Sequence, residues 1–243
     1  MAGISRYAFS VVVLVTCVSI GHVTSAHADP TIAGFDCGSW DGNVFLRAFE
    51  GGQSGTSYNK HNVLRTGIDP PWTLDINSNT AHAKLVQFST CQIPQATVAG
   101  IVVHITLTGK AHIETHMHAN DEDGVAWAPS WQGILHLPGK DPAERFDVDI
   151  GSDMSSYTLH RLCQITVGAQ APIVVNIFSP PQPQNEGHSQ LMPPLAPGDY
   201  VVKLQCSPYP SSPDSYFLHG IGNHLNADRD ERVDLDIVAT FHQ

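Results

Sequence analysis

The chain has 243 residues, of which 23 are acidic and 12 basic, so its formal net charge at neutral pH is −11 with histidines counted as neutral. This acidic balance argues against nucleic acid and anionic membrane surfaces as partners, because both are bound through basic patches. The length is ample for a buried core and suits one large all-β domain or two small ones.

The first 28 residues have the features of an export signal. Arg6 supplies positive charge, the run YAFSVVVLVTCVSI is apolar, and TSAHAD offers small residues for cleavage. The apolar run is too short to span a bilayer stably, and no later apolar stretch is long enough. We therefore expect residues 1–28 to be a signal peptide, and the mature protein to be secreted and extracellular with no membrane span.

Four cysteines follow the signal: Cys37, Cys91, Cys163 and Cys206. An even number of cysteines in an exported chain predicts two disulfides, for which three connectivities exist. We predict Cys37–Cys91 and Cys163–Cys206, because these pairings keep each crosslink within one half of the chain. No Cys-x-x-Cys pair is present, which argues against a redox motif or a cysteine zinc knuckle.

Short segments rich in β-branched and aromatic residues dominate the rest of the chain and predict strands. In chain order they are NVFLRAF, KLVQFST, AGIVVHITLTG, RFDVDI, RLCQITVG, PIVVNIF, DYVVKLQC and RVDLDIVATF. Several alternate apolar with polar residues, as half-buried strands do. No window has the apolar spacing of a long amphipathic helix, and 20 glycines and 17 prolines favour many turns. We therefore predict an all-β fold, an antiparallel, jelly-roll-like β-sandwich stabilised by two disulfides.

The domain organisation has two possible interpretations. We expect residues 29–243 to form a single β-sandwich domain, with two small β domains, 29–152 and 153–243, as the alternative. The proline-rich segment 179–197 is either an interdomain linker or a long ordered loop. Cys163 precedes this segment and Cys206 follows it, which favours a loop closed by a disulfide.

The segment GKAHIETHMHANDEDG, residues 109–124, concentrates histidines and acidic residues. Together with the apolar run before it, this segment predicts a β-hairpin with a three-residue turn at 109–111. That register gives one consistently apolar face, whereas a two-residue turn would set histidines beside apolar residues. It also predicts that His104 lies directly across from His116, with their Cβ atoms about 5 Å apart.

A hairpin of this register predicts a metal site on its polar face. Residues two apart on a strand share a face, and three imidazoles from two strands are a usual way to hold zinc or copper. The alternative is a polar solvent face without a metal ion. The predicted ligands are His104, His116 and His118, with Glu114 or Asp121 as a fourth ligand or an orienting partner.

Two acidic segments, NDEDG (120–124) and NADRDERVDLD (226–236), predict loops beside strands. Clustered carboxylates at loop tips can supply the six to eight oxygens that calcium prefers, although neither segment has the EF-hand spacing. Ordinary turn formation is the alternative, because Asn, Asp and Gly are common turn residues. The calcium candidates are Asp121, Asp123, Asp228 and Asp230.

The segment WAPSW places Trp127 and Trp131 four residues apart around a proline. Exposed tryptophans can stack on sugar rings or anchor a protein partner, because they offer a large apolar surface with one polar group. The alternative is that they pack into the core of the sandwich.

The sequence contains no Gly-x-Ser-x-Gly elbow, phosphate-binding loop or dinucleotide fingerprint. No set of residues supplies a nucleophile, a base and an orienting group together. We therefore expect a secreted, non-catalytic binding or surface-interaction protein whose ligand is an extracellular protein or glycan. The alternatives are a copper- or zinc-binding protein or metalloenzyme, and a carbohydrate-binding module supported by calcium.

Overall fold

A computed structural model describes residues 32–50, 53–60, 62–77, 81–115, 122–156, 160–178, 184–208, 218–221 and 226–242. No helix occurs in these ranges, and they therefore include none long and apolar enough to cross a membrane. The strands are β1 (Gly34–Glu50), β2 (Gln53–Lys60), β3 (Val63–Arg65), β4 (Trp72–Asn77), β5 (Ala81–Thr97), β6 (Gly100–Thr115), β7 (Glu122–Leu137), β8 (Phe146–Ser156), β9 (His160–Val167), β10 (Ile173–Phe178), β11 (Gln184–Leu191), β12 (Gly198–Pro208), β13 (Leu218–Ile221) and β14 (Asn226–Phe241).

The strands form two antiparallel sheets that pack face to face. Sheet A has the strand order β10-β9-β12-β7-β1-β2, with β13 added to β7 and β3 added to β1. Sheet B has the order β11-β8-β14-β6-β5-β4. The all-β prediction and the predicted sandwich are thus confirmed. Both sheets contain strands from before and after residue 152.

The core lies between the sheets and follows from alternation along each strand. On β14, Val233, Leu235 and Ile237 are at most 2% exposed, whereas Asp234 and Asp236 point outward. Each fully buried aliphatic side chain of this kind contributes roughly 1.5–3 kcal/mol through loss of apolar contact with water. The polar residues that alternate with these core residues consequently lie on the outer face of sheet B.

Both predicted disulfides are present. Cys37–Cys91 joins β1 of sheet A to β5 of sheet B and therefore links the two layers of the sandwich. Cys163–Cys206 lies within sheet A, where its two residues are directly opposite each other on β9 and β12. Two disulfides suit an oxidising, extracellular environment.

The predicted hairpin at 109–111 is wrong, because β6 runs without interruption through this segment. Both edges of β6 are occupied: Lys110 lies opposite Val86 of β5 on one side and Asp230 of β14 on the other. This pairing holds the backbone extended where the local sequence, with its glycine, favours a turn. His112, which follows this segment on β6, therefore lies further along the strand from His104 instead of folding back beside it.

The acidic segment 226–236 is also not a loop. It forms the first part of β14, which pairs with β6 from Asn226 to Thr240. In the other acidic segment, residues 122–124 belong to β7 and residues 120–121 lie outside the described ranges. In the proline-rich segment 179–197, residues 184–191 form β11, the edge strand of sheet B.

Candidate metal centre

Two adjacent strands of sheet B, β5 and β6, bring polar side chains together on the outer face. Their register places His82 directly opposite Glu114, and Lys84 directly opposite His112. Directly opposite residues of antiparallel strands share a face, with Cβ atoms about 5 Å apart. These four residues are therefore neighbours on one patch of the sheet, and each is half-buried.

Three of these side chains form a group with the composition of a metal site. One ring nitrogen from each of His82 and His112 and one carboxylate oxygen of Glu114 all lie within 4.8 Å of one another. The two imidazole rings meet edge to face, with centroids 6.1 Å apart. Ligand atoms around tetrahedral zinc lie roughly 3.3 Å apart, since zinc–nitrogen distances are about 2.0 Å. Ligand atoms that already lie within 4.8 Å of one another therefore need at most small side-chain rotations to reach this spacing.

A carboxylate orients each of the two imidazoles. Nε2 of His82 lies 2.8 Å from Oδ1 of Asp75 on β4, and Nδ1 of His112 lies 2.8 Å from Oδ1 of Asp228 on β14. Each ring donates its N–H to the carboxylate, so the other nitrogen carries the lone pair that a metal ion requires. The nitrogens left for a metal ion are Nδ1 of His82 and Nε2 of His112.

The centre is open to solvent on its outer side. The side chains of His82 and His112 are 30% and 32% exposed, and those of Asp75 and Asp228 are 51% and 82% exposed. Exposed ion pairs of this kind contribute little to stability on their own. Their main effect here is to fix the orientation of the rings.

Of the predicted ligands, only Glu114 belongs to this group. His104 lies on the same face of β6 but eight residues before His112, roughly 26 Å along the strand. Its Nδ1 instead contacts the carboxylate of Asp236. His116, His118 and Asp121 lie outside the described residues.

Of the calcium candidates, Asp228 and Asp230 have described side chains, and each contacts a residue of β6. Asp228 and Asp230 lie on β14 opposite His112 and Lys110, and Oδ2 of Asp230 is 3.4 Å from the lysine Nζ. The backbone of Asp123 lies in β7. Across the described ranges, only His82, His112 and Glu114 bring three potential ligand atoms within 4.8 Å.

Trp131 is a core residue, in agreement with the packing alternative. It is 2% exposed, its ring stacks on Phe35 with centroids 5.9 Å apart, and its indole N–H donates to the Cys37 carbonyl over 2.9 Å. Burial therefore leaves no indole face for a sugar ring. The backbone of Trp127 lies in β7, opposite Val44 of β1.

His82, Asp75 and His112 were not among the residues predicted to form a metal site. A signal for His82 exists in the segment AHAKL, where polar residues alternate with apolar ones and extend the next predicted strand backwards. No local signal pairs His82 with His112, because their contact depends on the register between β5 and β6.

Family models, curated proteins and solved structures were all compared with the chain, and none of them matches it. The function is therefore inferred from the chemistry of the site.

Proposed function

We propose that the protein is a secreted, non-catalytic binding protein that holds a divalent transition-metal ion at His82, His112 and Glu114. The observation that carries this proposal is the convergence of two imidazole nitrogens and one carboxylate oxygen from adjacent strands. Export is supported by the signal-like first 28 residues and by the two disulfides.

The donor set favours zinc or copper over calcium. Two nitrogen donors and one oxygen donor suit zinc and copper(II), whereas calcium takes six to eight oxygens. The Asp75 and Asp228 carboxylates supply the orienting hydrogen bonds that usually accompany metal-binding histidines.

Solvent exposure favours binding over catalysis. A catalytic metal ion works in a dry, shaped cavity. Here the two histidine side chains are about one-third exposed, and the carboxylate that orients His112 is 82% exposed. Water therefore has access to the centre, and the surrounding sheet face is open to a macromolecular or small ligand.

The test is metal binding by the disulfide-bonded protein, purified without chelators. We expect bound zinc or copper in stoichiometric amount, with affinity lost in His82→Ala and His112→Ala. His104→Ala is the matched control, because His104 is a histidine on the same face of β6 that lies outside the group. Isothermal titration with zinc and, separately, with copper(II) measures the affinity of the wild type and of these three variants. Equal affinity of the wild type and His112→Ala, or a wild type that refuses both metals, overturns the proposal.

A further inference from the structure

Lys84 lies at the border of the proposed metal centre. On β5 it lies two residues after His82 and therefore on the same face of sheet B. It lies directly opposite His112 of β6 on one side and Asp75 of β4 on the other. His82, His112 and Asp75 are thus the neighbours of Lys84 on three sides.

The charge of Lys84 is not used by an ion pair in the described part of the chain. Asp75 is its direct neighbour on β4, but the Asp75 carboxylate accepts a hydrogen bond from His82 instead. Lys110 lies two residues before His112 on the same face of β6, and its Nζ is 3.4 Å from Oδ2 of Asp230. Lys84 is therefore a half-buried cation beside the metal ligands that has its hydrogen-bond donors available.

We propose that the metal-loaded centre binds an oxyanion, a carboxylate or a phosphate, between the metal ion and the Lys84 ammonium group. This inference rests on the proposed function. Three protein ligands leave a fourth coordination position, and the exposure of the centre places that position on the solvent side. The flexible lysine stem brings three donors to an anion held there.

Charge supports an oxyanion over a neutral donor. A divalent ion bound to two neutral imidazoles and the Glu114 carboxylate keeps one positive charge, and Lys84 adds a second. The Asp75 and Asp228 carboxylates accept hydrogen bonds from the two imidazoles, and their negative charges weaken the attraction for an oxyanion. We therefore expect the oxyanion to bind the loaded protein only, and with modest affinity.

The experiment titrates cobalt(II)-loaded protein with acetate and, separately, with methyl phosphate, and follows the cobalt absorption bands. Lys84→Met removes the charge at similar size, Lys84→Arg retains it, and Lys110→Met is the control. We expect Lys84→Met to weaken oxyanion binding about fivefold, because a unit charge about 4 Å away has about that effect where bulk water screens it, and this centre is exposed to solvent. Lys84→Arg and Lys110→Met stay within about twofold of the wild type.

The outcomes separate this inference from the proposed function. Cobalt binding with equal oxyanion affinity in the wild type and Lys84→Met overturns the inference and leaves the metal site intact. Oxyanion binding of equal strength without metal overturns it as well, since the metal ion would then contribute nothing. Failure to bind any metal removes both proposals. A preference for acetate or for methyl phosphate assigns the oxyanion to the carboxylate or phosphate class.

Discussion

The contact between Asp228 and His112 gives a sharp test of how the metal centre is built. Asp228→Asn preserves the size of the side chain and removes its charge, while the amide oxygen can still accept the Nδ1–H bond that now spans 2.8 Å. The imidazole then keeps its orientation but loses the carboxylate that increases the basicity of its other nitrogen. Metal affinity should therefore fall without loss of the fold.

The size of the effect follows from the position of Asp228. Removing an orienting partner of a metal-bound histidine typically costs 10- to 100-fold in affinity. Asp228 is 82% exposed, so water screens its charge, and the asparagine retains the hydrogen bond. We therefore expect the lower end, about tenfold, which corresponds to about 1.4 kcal/mol of binding free energy.

Zinc titration calorimetry on Asp228→Asn measures this change, with Asp230→Asn as the control. Asp230 is the next outward residue on β14, and its substitution makes the same charge change beside Lys110 instead of a histidine. We expect the control to stay within about twofold of the wild type. A control that loses as much affinity as Asp228→Asn would show that only the overall charge of the face matters. No change in either variant would refute the orienting role of Asp228.

Three further predictions concern stability. Replacing Cys37 and Cys91 by alanine opens a crosslink of sequence separation 54. The free energy of unfolding, measured by guanidinium denaturation, should fall by about 4 kcal/mol because the unfolded chain gains conformational entropy. A loss under about 1 kcal/mol would contradict this explanation. Trp131→Phe removes the donor to the half-buried Cys37 carbonyl and should cost about 1–3 kcal/mol while metal affinity stays unchanged. The side-chain hydrogen bond from Arg65 lowers the pKa of Asp69, so carboxyl NMR should find it below 3.8, and Arg65→Gln should raise it. Folding lowers this pKa, so the Arg65–Asp69 pair stabilises the fold fully at pH values above the pKa that Asp69 has in the unfolded chain. This stabilisation is lost as the pH falls through the pKa that Asp69 has in the folded protein.

The all-β sandwich was predictable because its signals are local. Val233, Leu235 and Ile237 alternate with acidic residues, and this spacing places them on one face of any extended strand. Burying that face is what drives two sheets together. The disulfide pairs were predictable for a related reason, since Cys37–Cys91 and Cys163–Cys206 each close a loop within one half of the chain.

The length of β6 could not be predicted from its own residues. A glycine at position 109 favours a turn in the isolated segment, but strand pairing on both edges keeps the backbone extended. One of those partners, β14, lies more than 100 residues further along the chain, and Asp228 is 116 residues from His112. The error displaced the predicted metal site, because the hairpin was the only reason to place His104 beside His116.

The sequence by itself determined which residues alternate and which face of each strand is polar, because these properties depend on near neighbours and on the period of a strand. Only the tertiary structure decided which polar side chains meet. His82, His112 and Glu114 converge because β5 and β6 pair in one register, and a shift of β5 by one residue would place His82 on the opposite face of the sheet from His112 and Glu114. Trp131 is buried for the same kind of reason, since its strand pairs with β1 so that the indole reaches the Cys37 carbonyl.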